Sequence, residues 1–373
     1  MASEFWIGEV DMDDEQKKAV RGMDQHCSFL LTGPAGSGKT NILLLRSKWL
    51  RLKNFTNFKI VVFTSSLRDF VKVGCEQYNI PPEHACTAMQ LFKEFLTEYD
   101  IPFELDGSFE TDRQLLASKI HAYLLENEID PIYDALLVDE AQDYTDTELR
   151  IFKALTERLI LAADSRQSIY RISQTQGLLE DLTDNNLVKL KYHYRSGYQI
   201  CRVADNILTD SKKYPRISNN SKYDETAKPS SVDRVNCASL SEQILKIIES
   251  LAEQLTLYPQ ERLGVLFPKN IQVAQFKNSL IAAGFEQEDL NRIHYLTLHA
   301  SKGWEFRAVH IGACETISQM RATQKRLAYT AVLRGKTAVT LYYSGNMPGY
   351  LESSLRVLSP PVADPTFDSL FGE

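Results

Sequence analysis

The stretch GPAGSGKT, residues 33–40, combines the residue types that bind phosphate groups. It follows the apolar run FLLT and opens a helical pattern, which is the context that the motif G-x-x-x-x-G-K-[ST] requires. Its glycines let backbone N–H groups curl around phosphate oxygens, Lys39 supplies a cation for the β- and γ-phosphates, and the Thr40 hydroxyl is a ligand for Mg²⁺. The sequence therefore predicts a site for ATP and Mg²⁺, but this loop alone does not specify the reaction.

A second motif, the acidic stretch LLVDEAQD at residues 136–143, indicates hydrolysis. An apolar strand delivers Asp139 to the metal, and the adjacent Glu140 can polarise a water molecule in line with the γ-phosphate. Transfer of the phosphate to another substrate does not need such a carboxylate. The alternative is an acidic cap on the helix that DYTDTELR predicts.

The elements that position these motifs follow from the hydrophobic pattern. Short apolar runs such as SFLLTG, KIVVFT, DALLVD and RLILAAD alternate with helical patterns, which is typical of βαβ units and a buried parallel sheet. Ligands of such sheets bind at the carboxyl ends of the strands. The predicted strands of the first half end there in polar or small residues, namely Gly33, Thr64, Asp139 and Asp164.

Length and composition restrict the class of protein. A chain of 373 residues exceeds one ordinary core, and the pattern restarts after about residue 185, so we expect two domains. The net charge of −7 argues against a surface coated with basic charge for nonspecific nucleic-acid binding. The six cysteines are scattered and no long apolar run occurs, so we expect a cytoplasmic protein without a membrane partner.

The two motifs together resemble the superfamily 1 helicases of the UvrD/Rep type, and further segments match that family's motif order from residue 16 to residue 336. In the first half DDEQKKAV, VVFTSS, ACTAMQLF and AADSRQSIY fit this order. The resemblance implies that Gln16 reads adenine and that Gln167 senses the γ-phosphate. It also implies contacts with single-stranded nucleic acid near the ends of two strands.

The second half continues the resemblance with LKYHYRS, TLHASKGWEF and RLAYTAVLRGK. These segments imply that Tyr194 stacks on adenine, that Glu305 contacts the ribose, and that Arg195 and Arg334 reach the γ-phosphate. The implied catalytic residues are Lys39, Glu140, Gln167, Arg195 and Arg334, and the implied metal ligands are Thr40 and Asp139. The implied nucleotide contacts are Gln16, Gly33, Pro34, Ala35, Gly36, Ser37, Gly38, Lys39, Thr40, Asn41, Tyr194, Gly303 and Glu305. The implied nucleic-acid contacts are Phe63, Thr64, Ser65, Thr87, Tyr170, Thr297 and His299.

The expected architecture is α/β, with two RecA-like P-loop domains, parallel sheets and the ATP site in the cleft between them. We predict the first domain over residues 1–185, with a small helical insertion near 93–133, and the second over residues 186–358. An acidic, proline-bearing tail follows at 359–373.

The sequence departs from the family at two places. It lacks the second inserted subdomain, because little separates the segments around residues 280–300, and Ile172 replaces an aromatic residue that stacks on a base. Phe63 is an alternative stacking platform or a core residue, and Trp304 is favoured as a packing residue.

We expect an ATP-dependent helicase or translocase acting on single-stranded DNA, with RNA not excluded. A protein partner that supplies a wedge or binds the tail is a further expectation. The alternative is an ATP-gated clamp that binds nucleic acid or a partner protein without unwinding.

Overall fold

The computed structural model describes Trp6, residues 8–164, Arg166, and residues 176–208, 215–319 and 323–358. The chain forms two compact units, Met1–Arg195 and Ser196–Glu373. Each unit contains one sheet, and all described strand pairs are parallel. The predicted α/β class with two parallel sheets is therefore confirmed. The predicted sites Gln167 and Tyr170, position Ile172 and the tail 359–373 lie outside the described residues.

The sheet of the first unit has six strands in the order β3-β2-β4-β5-β1-β6. The strands are β1 (Phe29–Thr32), β2 (Phe58–Val62), β3 (Ala85–Thr87), β4 (Ala135–Val138), β5 (Leu159–Ala163) and β6 (Leu187–Lys189). The helices are α1 (Asp14–Lys17), α2 (Lys39–Leu52), α3 (Ser65–Gln77), α4 (Ala88–Glu98), α5 (Phe109–Glu126), α6 (Asp146–Leu155) and α7 (Gln176–Leu182).

Both faces of this sheet are covered. Neighbouring residues of a strand point to opposite faces, so Leu30 and Val138 pack in one apolar cluster while Leu31 and Leu137 pack in the other. This arrangement explains why the strands read as continuous apolar runs rather than as alternating patterns. It also leaves only the strand ends for polar chemistry.

The first unit ends after Arg195, later than the predicted boundary at residue 185. The reason is β6, which pairs in parallel with β1 and adds an edge strand to the first sheet. The backbone N–H of Leu190 then donates to the Thr32 carbonyl at 2.7 Å. The LKYHYRS segment therefore packs with the first unit, although the sequence pattern placed it at the start of the second.

The second unit has five strands in the order β7-β11-β10-β8-β9. The strands are β7 (Ser231–Cys237), β8 (Leu263–Phe267), β9 (Ile293–Thr297), β10 (Phe306–Ile311) and β11 (Gly335–Ser344). The helices are α8 (Tyr198–Ile207), α9 (Leu240–Leu257), α10 (Asn270–Ala282), α11 (Gln287–Leu290), α12 (Gln324–Val332) and α13 (Gly349–Leu355).

Two connections bear on the sequence predictions. The stretch 211–233 has the polar composition of a surface connection, but its last residues, from Ser231, begin β7 and pair with β11. Between α10 and β9 the chain contains only the short helix α11, so the place of the second inserted subdomain is a brief connection. None of the helices in the described part of the chain is long and apolar enough to cross a lipid bilayer.

Candidate nucleotide-binding and nucleic-acid site

Three adjacent strands of the first sheet bring the predicted phosphate and metal residues together. Strands β4, β5 and β1 are neighbours, and they end before Asp139, Asp164 and the loop 33–40. Because parallel strands end at the same edge, these groups share one side of the sheet. Helix α2 begins at Lys39, in the last residues of the loop 33–40, so its N-terminus lies at the same edge.

The loop 33–40 has the backbone conformation that glycine permits. Gly36 and Gly38 have φ values of 70° and 87°. A Cβ atom on Gly36 would lie 2.6 Å from the Cβ of Arg195 and 2.7 Å from Cε1 of His193. Any larger residue at this position would force the loop and the 193–195 segment apart.

The inner surface of the loop fits a phosphate group. Ser37 is 1% exposed, and its hydroxyl has no hydrogen-bond partner. A buried hydroxyl normally has one, and a bound phosphate would provide an acceptor for it. The ammonium of Lys39 donates to the carbonyls of Gly33 at 2.9 Å and Pro34 at 3.1 Å. The ammonium of Lys39 is thus held at the loop, where its positive charge would attract a phosphate group.

Thr40 and Asp139 form the candidate metal site. The Thr40 hydroxyl donates to Oδ2 of Asp139 at 2.6 Å, although the two residues lie 99 positions apart. Burial of Asp139 and the negative charge of Glu140 raise the pKa of the Asp139 carboxyl, while the Thr40 hydrogen bond and Lys39 oppose the change. Hard oxygen ligands and excess negative charge are the donor set that Mg²⁺ prefers, so these residues fit that ion.

Glu140 follows in a left-handed conformation, with φ 52° and ψ 41°. Its backbone N–H donates to Oδ1 of Asp139 at 2.9 Å, and its carboxylate accepts a short hydrogen bond from Nε2 of Gln142. Oε1 of Gln142 accepts from the backbone N–H of Asp164 at 2.9 Å. Gln142 therefore ties the carboxylate to the end of β5. The sequence analysis did not assign this residue a role, although it lies inside the DEAQD motif.

Gln16 reaches the loop from α1. Its Nε2 donates to the Ser37 carbonyl at 3.0 Å, and its backbone N–H and Oε1 form a capping box with Asp13. Oδ2 of Asp13 accepts from the hydroxyl of Tyr194 at 2.5 Å. Asp13 therefore connects two predicted adenine contacts, a role that sequence reasoning missed because the partners are 181 positions apart.

The 193–195 segment is bound to the loop as well. The backbone N–H of Tyr194 donates to the Gly36 carbonyl at 3.0 Å. His193, which is fully buried, donates from Nδ1 to the Ala35 carbonyl in a short hydrogen bond. Asn41, another predicted nucleotide contact, is buried, and its side-chain oxygen accepts a hydrogen bond from the hydroxyl of Tyr78.

The nucleic-acid residues predicted in the first unit divide into two groups. Thr64 and Thr87 lie at the ends of β2 and β3, where their hydroxyls accept from the N–H groups of Leu67 and Gln90, and Ser65 is exposed beside Thr64. Phe63, however, is 7% exposed and packs edge to face against Tyr144 at 5.5 Å. The ring of Phe63 belongs to the core, so it offers no open face on which a base could stack.

The residues predicted in the second unit lie around β9, β10 and β11. Thr297 ends β9 and accepts from the N–H of Ala300 at 3.1 Å, and His299 is exposed nearby. Lys336 lies 3.7 Å from the Glu305 carboxylate. Gly303 has φ 86°.

Two further side chains of the second unit are occupied by packing. Arg334 is 2% exposed and donates to the carbonyls of Thr330 at 2.9 Å and Trp304 at 3.1 Å. The ring of Trp304 stacks on Phe306 at 5.9 Å, as expected for a packing residue.

Part of the chain is similar to known proteins. Residues 16–173, which include the phosphate loop and the acidic motif, match the family described as AAA domain (AAA_19). A protein described as a probable DNA helicase from Mycoplasma pneumoniae (strain ATCC 29342 / M129 / Subtype 1) is 28% identical over 257 residues, covering 65% of this chain and 46% of that protein. Both similarities agree with the motif order that resembles the UvrD/Rep type of superfamily 1.

The chain spans about half the length of the curated relative it matches. Among solved structures, the C-terminal domain of a possible DNA helicase from Lactobacillus plantarum WCFS1 is 18% identical, with a TM-score of 0.32. That match covers 42% of this chain and 91% of the solved one.

Proposed function

We propose that this chain is a superfamily 1 protein of the UvrD/Rep type, that it is an ATP hydrolase stimulated by single-stranded nucleic acid, and that it acts as a DNA helicase or translocase. The observation that carries the proposal is the cluster at the edge of the first sheet. There the loop lysine, the Thr40 and Asp139 pair and the carboxylate of Glu140 lie together. The similarity to a probable DNA helicase supports nucleic acid as the polymer.

In this proposal the loop 33–40 and Lys39 bind the phosphates, and Thr40 and Asp139 hold Mg²⁺. Bound Mg²⁺ supplies positive charge that stabilises the negative charge developing on the phosphates. Glu140 accepts a proton from the attacking water, and Gln142 orients that carboxylate. Gln16 and Tyr194, joined through Asp13, are the proposed adenine contacts.

The remaining predicted residues stay proposals on the sequence resemblance. Arg195, Arg334 and Gln167 are proposed to contact the γ-phosphate, and arginines in such positions contribute about 10³ to 10⁵ in rate in comparable reactions. Thr64, Ser65, Thr87, Thr297, His299 and Tyr170 are the proposed nucleic-acid contacts. We also propose a cytoplasmic location, which the six free thiols support, five of them buried.

The test measures steady-state ATP hydrolysis with Mg²⁺ and no polymer, with single-stranded DNA, and with single-stranded RNA. We expect turnover to rise with single-stranded DNA, and the stimulation to weaken steeply with salt because the contacts are chiefly to the phosphate backbone. Turnover that is indifferent to all polymers would contradict the proposal and favour an ATP-gated clamp.

A further inference from the structure

Helix α5 carries a buried arginine that reaches the loop after the catalytic carboxylate. Arg113 is 5% exposed, and no sequence motif points to it. Its Nη2 donates to the backbone carbonyl of Asp143 at 2.7 Å. Asp143 in turn donates its N–H to the carbonyl of Glu140 at 2.8 Å, so a single backbone turn separates Arg113 from the catalytic residue.

The same guanidinium is fixed by helix α6. Arg113 donates from Nε and Nη2 to the two carboxylate oxygens of Glu148, at 2.6 and 2.5 Å. Glu148 is 1% exposed and also accepts from the N–H and hydroxyl of Thr145, at 2.7 and 2.9 Å. A two-pronged ion pair of this kind defines both the position and the plane of the guanidinium. Arg113, fixed in this way by Glu148, therefore holds the loop between Glu140 and Thr145 through its hydrogen bond to Asp143.

Arg113 also contacts the end of β2. Its guanidinium carbon lies 4.8 Å from the ring centroid of Phe63 and 5.8 Å from that of Tyr144. Phe63 directly precedes Thr64 and Ser65, the proposed nucleic-acid contacts. The backbone provides a parallel link, because the N–H of Asp139 donates to the Val61 carbonyl at 2.9 Å.

We propose that Arg113 is a positioning residue that holds the loop of Glu140 and couples it to the nucleic-acid end of β2. This inference rests on the proposed polymer-stimulated hydrolysis. Helix α5 lies within the predicted insertion. In this proposal it transmits the binding of nucleic acid at Thr64 and Ser65 to the carboxylate of Glu140. Arg113 does not touch the nucleotide phosphates in this scheme.

The test compares Arg113→Met with a matched control, Arg158→Met. Arg158 is also buried in the first unit, donates to the Asp134 carbonyl at 2.6 Å, pairs with Glu157 at 2.9 Å and lies 4.1 Å from the Phe55 ring. Both variants should lower the melting temperature by similar amounts. Only Arg113→Met should lower kcat, on the order of 100-fold, because small displacements of a catalytic group have effects of that size.

Three readouts separate positioning from general loss of stability. KM for ATP should stay within about twofold in Arg113→Met, since ground-state binding is not altered. The ratio of DNA-stimulated to unstimulated turnover should fall towards one. Arg113→Lys keeps the positive charge but cannot donate two parallel hydrogen bonds to Glu148, so it should give an intermediate kcat.

Hydrogen exchange provides a readout that does not depend on activity. In Arg113→Met, amides of residues 139–148 and 61–67 should exchange faster than in the wild type, whereas in Arg158→Met they should not. If wild-type turnover ignores every polymer, the proposed function fails, and exchange and unstimulated kcat still decide the role of Arg113. Equal kcat in the two methionine variants, with unchanged exchange at 139–148, would overturn the inference.

Discussion

Glu140 and Lys39 lie at the same sheet edge but make different contacts, and their variants should differ accordingly. Glu140 is held by Gln142, whereas Lys39 lies on the phosphate loop. Glu140→Gln should leave nucleotide affinity nearly unchanged and abolish turnover, because it removes the proton acceptor only. Lys39→Ala should weaken both. Nucleotide titration and steady-state hydrolysis measure the two effects, and wild-type turnover in Glu140→Gln would refute the assignment.

The conformation of Gly36 leads to a second prediction at the scale of the residue. Gly36→Ala should destabilise the first unit and weaken nucleotide binding, because the added Cβ meets Arg195 and His193. The control is Gly284→Ala, where φ is 73° and no atom lies within 4 Å of the added Cβ. Both variants carry backbone strain on the order of 1 kcal/mol. Thermal melting should show a clearly larger loss for Gly36→Ala, and equal losses would show that the steric contact is unimportant.

The residues that sequence reasoning located are those that a local motif identifies. Lys39, Thr40, Asp139 and Glu140 have fixed neighbours in the chain, so their types and spacing point to them without a structure. Asp13, His193 and Arg113 depend on partners that lie 30 to 181 positions away. No local pattern contains such pairs, because they arise only when strands and helices pack together.

At the scale of the element, the same distinction holds. The apolar runs of β1, β2, β4 and β5 were predicted because these strands are buried on both faces. The edge strand β6 pairs with β1 of the first sheet although the hydrophobic pattern restarts close to it, and the edge strand β7 begins within a polar stretch. Edge strands bury less surface, so their sequences carry a weaker pattern. Their pairing depends on a neighbour rather than on their own residues.

Strand β10 contains a buried histidine whose surroundings predict a dependence of stability on pH. Nε2 of His310 lies 2.9 Å from Oε1 of Gln254, and Nδ1 lies 3.1 Å from the hydroxyl of Tyr342. The amide oxygen only accepts, so Nε2 carries the proton and Nδ1 accepts from the tyrosine. Both ring nitrogens are thus satisfied in the neutral form. Burial lowers the pKa of His310 from 6.5 to about 4.

The free energy of unfolding should therefore fall as the pH drops from about 6.5 to about 4, because the unfolded chain binds the proton more readily. The loss attributable to His310 is on the order of 3 kcal/mol. His294 adds to the slope, since burial and Arg262 lower its pKa as well. Urea unfolding at several pH values measures the effect. His310→Gln should flatten the curve in this interval, and an unchanged slope would contradict the prediction.

At the scale of the whole molecule, the short connection between α10 and β9 restricts what the chain can do to a duplex. Contacts through Thr64, Thr87 and Thr297 would grip the backbone of one strand, but no inserted subdomain is present there to act as a wedge. The loss of an aromatic residue at Ile172 removes a stacking contribution of roughly 1–3 kcal/mol per base. Movement along a single strand does not require either feature.

We therefore expect ATP hydrolysis stimulated by single-stranded DNA together with poor unwinding of a tailed duplex by the isolated chain. The measurement compares hydrolysis with strand separation on the same substrate, and displacement of a protein bound to the single strand serves as a positive control for movement. Addition of a partner that supplies a wedge should restore unwinding. Efficient separation of a long duplex by the pure protein would show that the chain needs no such partner.

The left-handed backbone of Glu140 affects which mutations at this position leave the protein folded. Glutamate rarely adopts this conformation, whereas glycine and asparagine adopt it readily. The backbone conformation therefore does not favour glutamate at this position, and we expect the proposed catalytic role to be what retains it. A cell that acquires such a replacement should keep normal amounts of a folded protein that binds nucleotide and does not release it by hydrolysis. Expressed beside the intact copy, that protein should occupy the same nucleic acid and behave as a dominant inhibitor.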